Sequence, residues 1–465
     1  MKNILFADRE FYKTLARIAI PIALQQLVTS SVNLLDVLMV GQMGEVSIAA
    51  LGLSNQVFFL MTIILFGASS GMAIFSAQYW GKRDVVNIRR VLGIGLSIAI
   101  SISFLFMLAV LFVPEKVLGF YTNDADVIAL GSQYLQIVGL CYVPTAISYT
   151  FMSVLRSTGN VKLPTAVSVL ALSMNIFLNY TLIFGNFGMP ALGVRGAAIG
   201  TAVSRSVECL AMVFFAYRLK TPAAAKISEL FSFDRVFFRH TLNTSLPALL
   251  NEGVWAFGIT TYNSIYAHIG TEAIAAVNIN STIESMAFVV FIGSANAAAI
   301  MIGNKIGAGH EEVAYAYGKR LIALGITGAV IVGIALIFLR GPILSLYNIS
   351  AQSLFYSNRL LLFFSLTLWV RVSNTTIFIG VLRSGGDTRF CLITEMLAVW
   401  LVGVPAAFIG ANVFHLPVYY VYLLAFLEEA TKFVVIFKRF KSRRWINNLT
   451  EPSVEFQGVL ESVIK

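Results

Sequence analysis

Charged side chains are scarce in this sequence of 465 residues. Asp, Glu, Lys and Arg together make up 12% of it, whereas apolar residues make up 58%. A soluble protein of this length needs far more charge on its surface, so the composition excludes that class. Apolar runs of about 20 residues recur along the chain, and each is long enough to cross a bilayer as a helix. The sequence therefore predicts a helical protein that crosses the membrane many times.

Cysteine and histidine are also few, with three and four residues. Cys141, Cys209 and Cys391 fall in apolar runs and have no paired spacing, so we interpret them as core residues and not as disulfide or metal-site cysteines. The histidines lie near span edges and in loops, without the spacing of metal ligands. A metal site is not expected, apart from a Na⁺ ion that the first span could hold.

Nucleotide-binding loops and nucleophile–histidine arrangements are missing as well. Their absence argues against ATP-driven transport, a membrane enzyme and a nucleotide partner, and no cofactor is expected. The formal net charge of +10 does not indicate nucleic acid. Lys and Arg concentrate in short loops and near the chain ends on one side of the predicted spans, where they set orientation. The positive-inside rule places both termini in the cytoplasm.

The apolar runs predict about twelve spans in two sets of six. We assign residues 1–217 to an N-terminal six-helix bundle and residues 241–445 to a C-terminal one. Residues 218–240 are more polar and predict a cytoplasmic linker, with a short amphipathic helix at Ser228–Arg239 on the membrane surface. Residues 446–465 predict a poorly ordered cytoplasmic tail.

An internal repeat relates the two halves. FMSVLRSTGN at 151–160 returns as FIGVLRSGGD at 378–387, and Pro21 and Gly81 return as Pro247 and Gly307 at an offset of 226. Because six spans is an even number, both copies insert in the same orientation. The repeat therefore predicts two pseudo-symmetric bundles across a central cavity, one rocking against the other during transport.

A carboxylate stands inside the first span, in PIALQQLVTSSVNLLDVLMV at 21–40. Asp36 in such a run costs about 2.5–3.5 kcal/mol on insertion scales, and a residue of this kind usually marks an ion path or a ligand site. The structural alternative is a carboxylate that bonds a helix end or a neighbouring Asn and does nothing else. The functional interpretation is a site that takes up H⁺, or that gives one charged oxygen to Na⁺.

Several motifs, in their order, resemble one family. They are the helix from Pro21 to Asp36, GQMGEVSIAALGLSNQ after it, VLRSTGN with its twin VLRSGGD, and NIFLNYTLIFGNFGMPALGVRGAAIGTAVSR. Together they resemble the MATE (multidrug and toxic compound extrusion) cation antiporters, from about residue 12 to 450. The resemblance implies a V-shaped pair of bundles in a bacterial or archaeal plasma membrane (the cell inner membrane). It also implies a monomer that exports small organic cations in exchange for H⁺ or Na⁺.

The resemblance also implies a coupling site in the first bundle. It places Asn175 and Asn179 one turn apart on the fifth span, on one helix face. With Asp36 and Thr201 they offer oxygens to a hard cation. Asn179 departs from the family, because many relatives carry Asp there. The departure removes one negative charge from the site.

The second bundle carries polar residues with two interpretations. Some members of the family use a Glu at the position of Glu252 to bind a cation or drug, but the second acid that those members carry on the tenth span is missing here. Arg371 lies in that region and needs a carboxylate partner inside the membrane. Glu252 and Glu284 are the candidates, so each either binds an ion or pairs with Arg371.

Other charged residues are interpreted as structural. Arg205 with Glu208, and Glu428 and Glu429 with Lys432, have the spacing of intrahelical ion pairs at the bundle ends. Glu395 is expected near a span end, where its head group can reach water. The repeat twins Arg156 and Arg383 are interpreted as loop residues that cap helix ends.

The substrate cavity is predicted only in outline. Candidate polar lining residues are Gln25, Gln26, Asn33, Tyr149 and Tyr262. The alternative function is a flippase for a lipid-linked or amphipathic substrate, whose phosphate would need a cavity rich in Arg and Lys. The first bundle offers Asp36 and amides instead, which favours cations.

Overall fold

The computed structural model describes residues 9–347 and 349–451. These residues are helical almost throughout, and no strand occurs among them, which confirms the predicted all-α class. The helices of the first half are α1 Arg9–Gly41, α2 Glu45–Gly81, α3 Val85–Phe112, α4 Pro114–Gly119, α5 Ala125–Gly139, α6 Tyr142–Ser157, α7 Lys162–Phe184 and α8 Val194–Arg218.

The second half repeats this pattern after the short helix α9 Ile227–Leu230. Its helices are α10 Arg235–Ile269, α11 Thr271–Gly307, α12 Glu311–Leu344, α13 Ala351–Thr375, α14 Thr388–Leu397, α15 Val404–Asn412, α16 Val418–Ala425 and α17 Leu427–Lys441. A π-helical segment, Thr376–Leu382, extends α13, and a second one, Ala398–Gly403, joins α14 to α15.

Nine helices of the described residues are long and apolar enough to cross a membrane, and the bent pair of α5 and α6 makes a tenth. That pair bends by 50° at its break. Two further segments have the length of a span, namely α10 with 35 residues and the consecutive helices α16 and α17. The polar Asn251 and Glu252 interrupt the apolar run of α10. The helices thus agree with the predicted count of about twelve spans.

The chain forms two compact units. The N-terminal unit comprises Leu24–Ser76 and Arg83–Ser245, and the C-terminal unit comprises the residues up to Ala23, Ala77–Lys82 and the residues from Leu246 on. The changes from one unit to the other fall inside α1, near the end of α2 and inside α10. The linear division at residues 217, 240 and 445 stays a prediction.

The linker does not contain the single helix predicted at Ser228–Arg239. The chain forms the one-turn helix α9, leaves helical geometry, and starts α10 at Arg235. Asp234 caps the new helix, because its Oδ1 accepts a hydrogen bond from the backbone N–H of Phe237 at 2.7 Å. Glu229 holds α9 in place by accepting from the Lys226 backbone N–H at 2.6 Å and from Arg89 at 2.7 Å. These bonds hold the pKa of the Glu229 carboxyl below its usual range.

The prediction of a poorly ordered tail is wrong for the part of the tail that the structure describes. Trp445 is fully buried, and Asn447 donates backbone and side-chain hydrogen bonds to the Gly385 carbonyl at 3.1 and 3.0 Å. The Leu449 N–H donates to Gln78 Oε1 at 2.7 Å, and Gln78 Nε2 donates to the Ser384 carbonyl at 2.9 Å. The polar composition of the tail suggested that it would be surrounded by water. Instead, its polar groups form hydrogen bonds with Gly385 and Gln78. Residues 452–465 lie outside the described residues.

Repeat-related glycines meet where the last turns of α2 and α11 pack together in the C-terminal unit. A Cβ on Gly81 would collide with the Asn304 carbonyl, and a Cβ on Gly307 would collide with the Gln78 carbonyl. Both pairs are separated by the repeat offset of 226 residues, so the contact is close to two-fold symmetric. Small residues at such a contact allow two backbones to approach closely inside a membrane protein.

We expect Gly81→Ala to destabilise the protein by about 1–3 kcal/mol, because the added methyl group forces two packed backbones apart. The measurement is the midpoint of thermal unfolding of the protein purified in detergent. Gly52→Ala is the matched control on the same helix, since a Cβ at Gly52 meets no atom within 4 Å. Equal midpoints for the two variants would contradict the close packing of α2 on α11.

Candidate functional site

A cavity of about 340 Å³ lies in the N-terminal unit. Helices α1, α2, α5, α6, α7 and α8 all contribute to its wall. Its polar lining consists of Thr29, Asp36, Asn55, Thr62, Tyr134, Tyr149, Asn175, Asn179, Thr201, Ser204 and Arg205. Its apolar lining includes Val32, Phe58, Phe59, Val138 and Leu172. The cavity therefore combines one ionisable acid, several neutral oxygens and aromatic rings.

The four residues predicted for cation coupling all line this cavity. Asn179 Nδ2 donates to Asp36 Oδ1 at 2.8 Å and to Asn175 Oδ1 at 3.4 Å. Asn175 Nδ2 donates to Thr201 Oγ1 at 3.4 Å. The bonds run from α1 through α7 to α8, and the one-turn spacing of the two asparagines puts both amides in line. The geometry brings the four residues together, and their role in coupling stays a prediction.

The side-chain oxygen of Asn179 has no hydrogen-bond partner, although the residue is fully buried. Gly200 on α8 leaves room for this oxygen, because a Cβ there would collide with it. An unbonded buried carbonyl oxygen is costly unless a donor or a cation can reach it. The oxygens available to a hard cation are thus those of Asp36, the two amides and the Thr201 hydroxyl. Within the described ranges, no cluster of three His, Cys, Asp or Glu side chains suits a metal ion.

Arg205 was not predicted as a cavity residue. Its predicted ion pair with Glu208 is confirmed at 2.9 Å, and Glu208 Oε1 also accepts from Ser168 Oγ at 2.6 Å. The pair does not lie apart from the cavity, however, because the Arg205 side chain lines it. The sequence could have predicted that Arg205 lines the cavity, since it follows Thr201 by one helical turn and lies on the same face.

The predicted substrate residues are dispersed. Of the five, Tyr149 lines this cavity. Gln25 is buried and accepts a hydrogen bond from Arg156 at 2.5 Å, and Gln26 is exposed. Tyr262 donates to Glu428 in the C-terminal unit. The side chain of Asn33 lies outside the described residues.

Arg371 has the partner that its position requires. Its guanidinium pairs with Glu284 at 2.8 Å and lies 5.3 Å from the centre of the Tyr422 ring. Tyr422 and Asn280 also donate hydrogen bonds to Glu284. Glu284 thus holds Arg371 in the C-terminal unit.

Glu252 pairs with a different arginine. Arg383 Nη1 lies 2.7 Å from Glu252 Oε1, and Arg383 also donates to Asn251. Arg383 caps the end of the π-helical segment that extends α13 and begins a turn, as predicted, and its side chain is also buried. Arg156 makes the equivalent contact with Gln25, which is 226 residues before Asn251. The same pairing occurs in both repeats, with an added carboxylate in the second.

Lys432 is the centre of a second buried group of charges. The predicted pairs within α17 are confirmed, with Glu428 at 3.3 Å and Glu429 at 3.7 Å. Glu395 of α14 also pairs with Lys432 at 3.0 Å and is buried. The expectation that Glu395 reaches water is therefore wrong. Asn374 completes the group by donating to Glu429 Oε2 at 2.5 Å.

A model of the MatE family matches the chain twice, over residues 21–181 and 247–409. The matches begin at the repeat twins Pro21 and Pro247. The chain is 24% identical over 410 residues to the probable multidrug resistance protein NorM of Thermotoga maritima, covering 88% of this chain and 87% of that protein. It is 24% identical over 415 residues to the uncharacterized transporter YisQ of Bacillus subtilis, with 88% and 90% covered.

Its fold is similar to the crystal structure of the Vibrio cholerae MATE transporter VcmN in the bent form. The TM-score is 0.84 at 18% identity, with 93% of this chain and 97% of that one covered. At this identity the likeness concerns the fold.

We expect Arg383→Gln to destabilise the protein by about 3–5 kcal/mol, because it leaves the Glu252 carboxylate buried without its cation. The measurement is thermal unfolding in detergent. The double variant Glu252→Gln with Arg383→Gln should regain most of the loss. Glu312→Gln is the control, since it removes the exposed pair with Arg443 and should change stability by less than about 1 kcal/mol. If Arg383→Gln alone were as stable as this control, the result would contradict the burial of the pair of Arg383 and Glu252.

Proposed function

Because this chain belongs to the MatE family of MATE transporters, we propose that it exports small organic cations across the membrane in exchange for H⁺ or Na⁺. MATE proteins are transporters and not enzymes, and this chain has the multiple membrane-spanning helices of the family. The name of the Thermotoga maritima relative, a probable multidrug resistance protein, supports a drug-like substrate.

The observation that carries the proposal is the Asp36 carboxylate in the wall of the N-terminal cavity. The cation that also lines the cavity, Arg205, is already paired with Glu208. Asp36 is bonded by the neutral amide of Asn179. Its negative charge is therefore available to a bound cation, which makes the cavity suited to cations more than to anions.

The aromatic lining supports a flat organic cation as the substrate. Phe58, Phe59, Tyr134 and Tyr149 present rings to the cavity. A cation over such a ring gains about 0.5–2 kcal/mol, depending on how far it is removed from water. The cavity volume of about 340 Å³ lies in the range of small-molecule sites.

Exchange follows if the coupling ion and the drug use Asp36 in turn. A proton or Na⁺ on the carboxylate removes the charge that attracts the drug, and departure of that ion restores it. One ion exchanged for one monovalent drug is electroneutral, so the ion gradient alone would drive export. A second ion would add about 2.3 kcal/mol per charge for each 100 mV of membrane potential.

We place the protein in the cytoplasmic membrane with both termini in the cytoplasm, which the basic loops support. We propose that it works as a monomer by alternating access between its two halves. The flippase alternative needs a cationic site for a phosphate group. The Arg205–Glu208 pair at 2.9 Å leaves Arg205 without that free charge, so the geometry favours export of cations.

The test is efflux of a fluorescent organic cation from proteoliposomes under an imposed pH gradient or an imposed Na⁺ gradient. One of the gradients should drive efflux by the wild type and so identify the coupling ion. We expect Asp36→Asn to lower that efflux at least about 10-fold, because a neutral amide neither holds a proton nor attracts a cation as strongly as a carboxylate.

Asp126→Asn is the matched control, since Asp126 is an exposed aspartate in the first turn of α5 and should leave efflux unchanged. Efflux by Asp36→Asn at the wild-type rate would remove Asp36 from the mechanism. A wild-type protein that moves no cation under either gradient would rule out cation export and direct the search to lipid-linked substrates.

A further inference from the structure

The two arginines of the internal repeat make the same hydrogen bond but do not have the same counter-charge. Arg156 lies in the last turn of α6, and its twin in the C-terminal unit is Arg383. Nη2 of Arg156 donates to Gln25 Oε1, and Nη2 of Arg383 donates to Asn251 Oδ1. Nη1 of Arg383 also donates to Glu252 Oε1 at 2.7 Å. The second repeat therefore holds a carboxylate on a specific atom of its arginine.

The first repeat lacks this carboxylate, because Gln26 stands at the position of Glu252. Gln26 is exposed, and within residues 9–347 and 349–451 the hydrogen-bond partner of the Arg156 guanidinium is Gln25. Nη1 of Arg156, whose equivalent holds the carboxylate, has no described partner, and its Nε is buried without a hydrogen bond. The guanidinium thus keeps a full positive charge beside a neutral amide.

A neighbouring carboxylate does not replace the missing one. Glu208 of α8 interacts with Arg156 through its charge. However, Oε1 of Glu208 accepts from Ser168 at 2.6 Å, and Oε2 pairs with Arg205 at 2.9 Å. Both oxygens of this carboxylate are therefore in use. A cation at the end of a span without a counter-charge, and a buried N–H without an acceptor, are both costly.

The place of the missing carboxylate is open to a ligand. Arg156 is partly exposed, and Gln26 beside its partner is exposed. The last turn of α6 lies on the side that the basic loops place in the cytoplasm. Asp36 is eleven residues beyond Gln25 on α1, which is about 16 Å along the helix. The charge of Arg156 thus lies apart from the Asp36 cavity and leaves the suitability of that cavity for cations unchanged.

We propose that Arg156 forms an anion-binding site in the N-terminal unit: its Nη1 binds a carboxylate or phosphate group of a ligand at the place where Glu252 supplies a carboxylate in the other repeat. A hydrogen bond from a guanidinium to such charged oxygens is short and strong. The ligand comes from the cytoplasmic side, as a small soluble anion or as the head group of an anionic lipid. This site goes beyond the proposed function and does not depend on which ion drives export.

The experiment measures the midpoint of thermal unfolding of the purified protein in detergent as potassium acetate or potassium phosphate is added. Potassium chloride at the same ionic strength is the salt control, and potassium salts keep Na⁺ away from Asp36. A ligand that binds the folded protein raises the midpoint with concentration, and the curve gives an apparent Kd. We expect a rise above that in chloride, and we expect Arg156→Gln to weaken the apparent binding at least about 10-fold, because it removes the charged donor.

A second arm identifies the source of the anion. The same midpoint is measured in mixed micelles that contain phosphatidylglycerol or, as the neutral control, phosphatidylcholine. A rise with phosphatidylglycerol, but with neither acetate nor phosphate, identifies a lipid head group as the ligand. A rise with acetate or phosphate identifies a soluble anion. The proposal requires that the rise, with whichever probe, depends on Arg156.

Gln26→Glu is the decisive variant, because it supplies the carboxylate that the second repeat carries. We expect its midpoint without added anion to be higher than that of the wild type, and we expect acetate, phosphate and phosphatidylglycerol to raise it no further than their controls do. Gln42→Glu is the matched control, since Gln42 is also exposed and follows the end of α1. This control should respond to anions as the wild type does. If Arg156→Gln does not fold, Gln26→Glu decides alone.

An Arg156 guanidinium that needs only water gives a different result. Acetate, phosphate and phosphatidylglycerol would then raise the midpoints of the wild type and of Gln26→Glu equally, or would raise neither above its control, and each of these outcomes overturns the proposal. The measurement does not involve transport. Failure of the wild type to export cations would therefore refute the proposed function and leave the anion site to be decided by the unfolding midpoints.

Discussion

The cost of a charge inside an apolar span is the constraint on which the rest of the structure depends. Within the described part of the chain, five buried or half-buried cations have carboxylate or amide partners: Arg205 with Glu208, Arg371 with Glu284, Arg383 with Glu252, Arg156 with Gln25, and Lys432 with three glutamates. Such pairs repay their desolvation only when the geometry and the surrounding hydrogen bonds are good. Asp36 differs, since its described partner is a neutral amide. Under the proposed function, a mobile cation would gain most by binding at this carboxylate, because its described partner carries no charge.

The repeat supplies one plan for both units, and the differences between the copies give them different roles. The contact of Arg156 with Gln25 returns as the contact of Arg383 with Asn251, but only the second copy adds the carboxylate of Glu252. The C-terminal unit pairs its buried acids with its own arginines and lysine. In the N-terminal unit, Asp36 lines a cavity. Duplication therefore explains the shared fold, and the balance of charges explains why the candidate site is in one copy.

Sequence patterns predicted what depends on spacing along one helix. The pairs of Arg205 with Glu208 and of Glu428 with Lys432 follow from such spacing, and the helical class follows from the length of the apolar runs. Partners on different helices could not be predicted, because helix packing decides which side chains meet. Glu395 was expected to reach water and instead meets Lys432. Arg383 lies at a helix end as predicted, but its contact with Glu252 was not predicted. The prediction for the tail was wrong for a related reason. The Asn447 amide groups of the tail donate hydrogen bonds to the Gly385 carbonyl, and composition cannot show such a contact.

The orientation of the Asn179 amide separates what H⁺ and Na⁺ would require at Asp36. In the structure the amide turns its NH₂ group toward Asp36, and its oxygen has no partner. A proton can add to the other carboxylate oxygen while this bond stays in place. A Na⁺ ion needs oxygens around it, so the Asn179 amide would have to rotate and bring its unbonded oxygen inward. That rotation exchanges a donor for an acceptor at the carboxylate, so Na⁺ binding would break the hydrogen bond from Asn179 to Asp36, whereas proton binding would leave it intact.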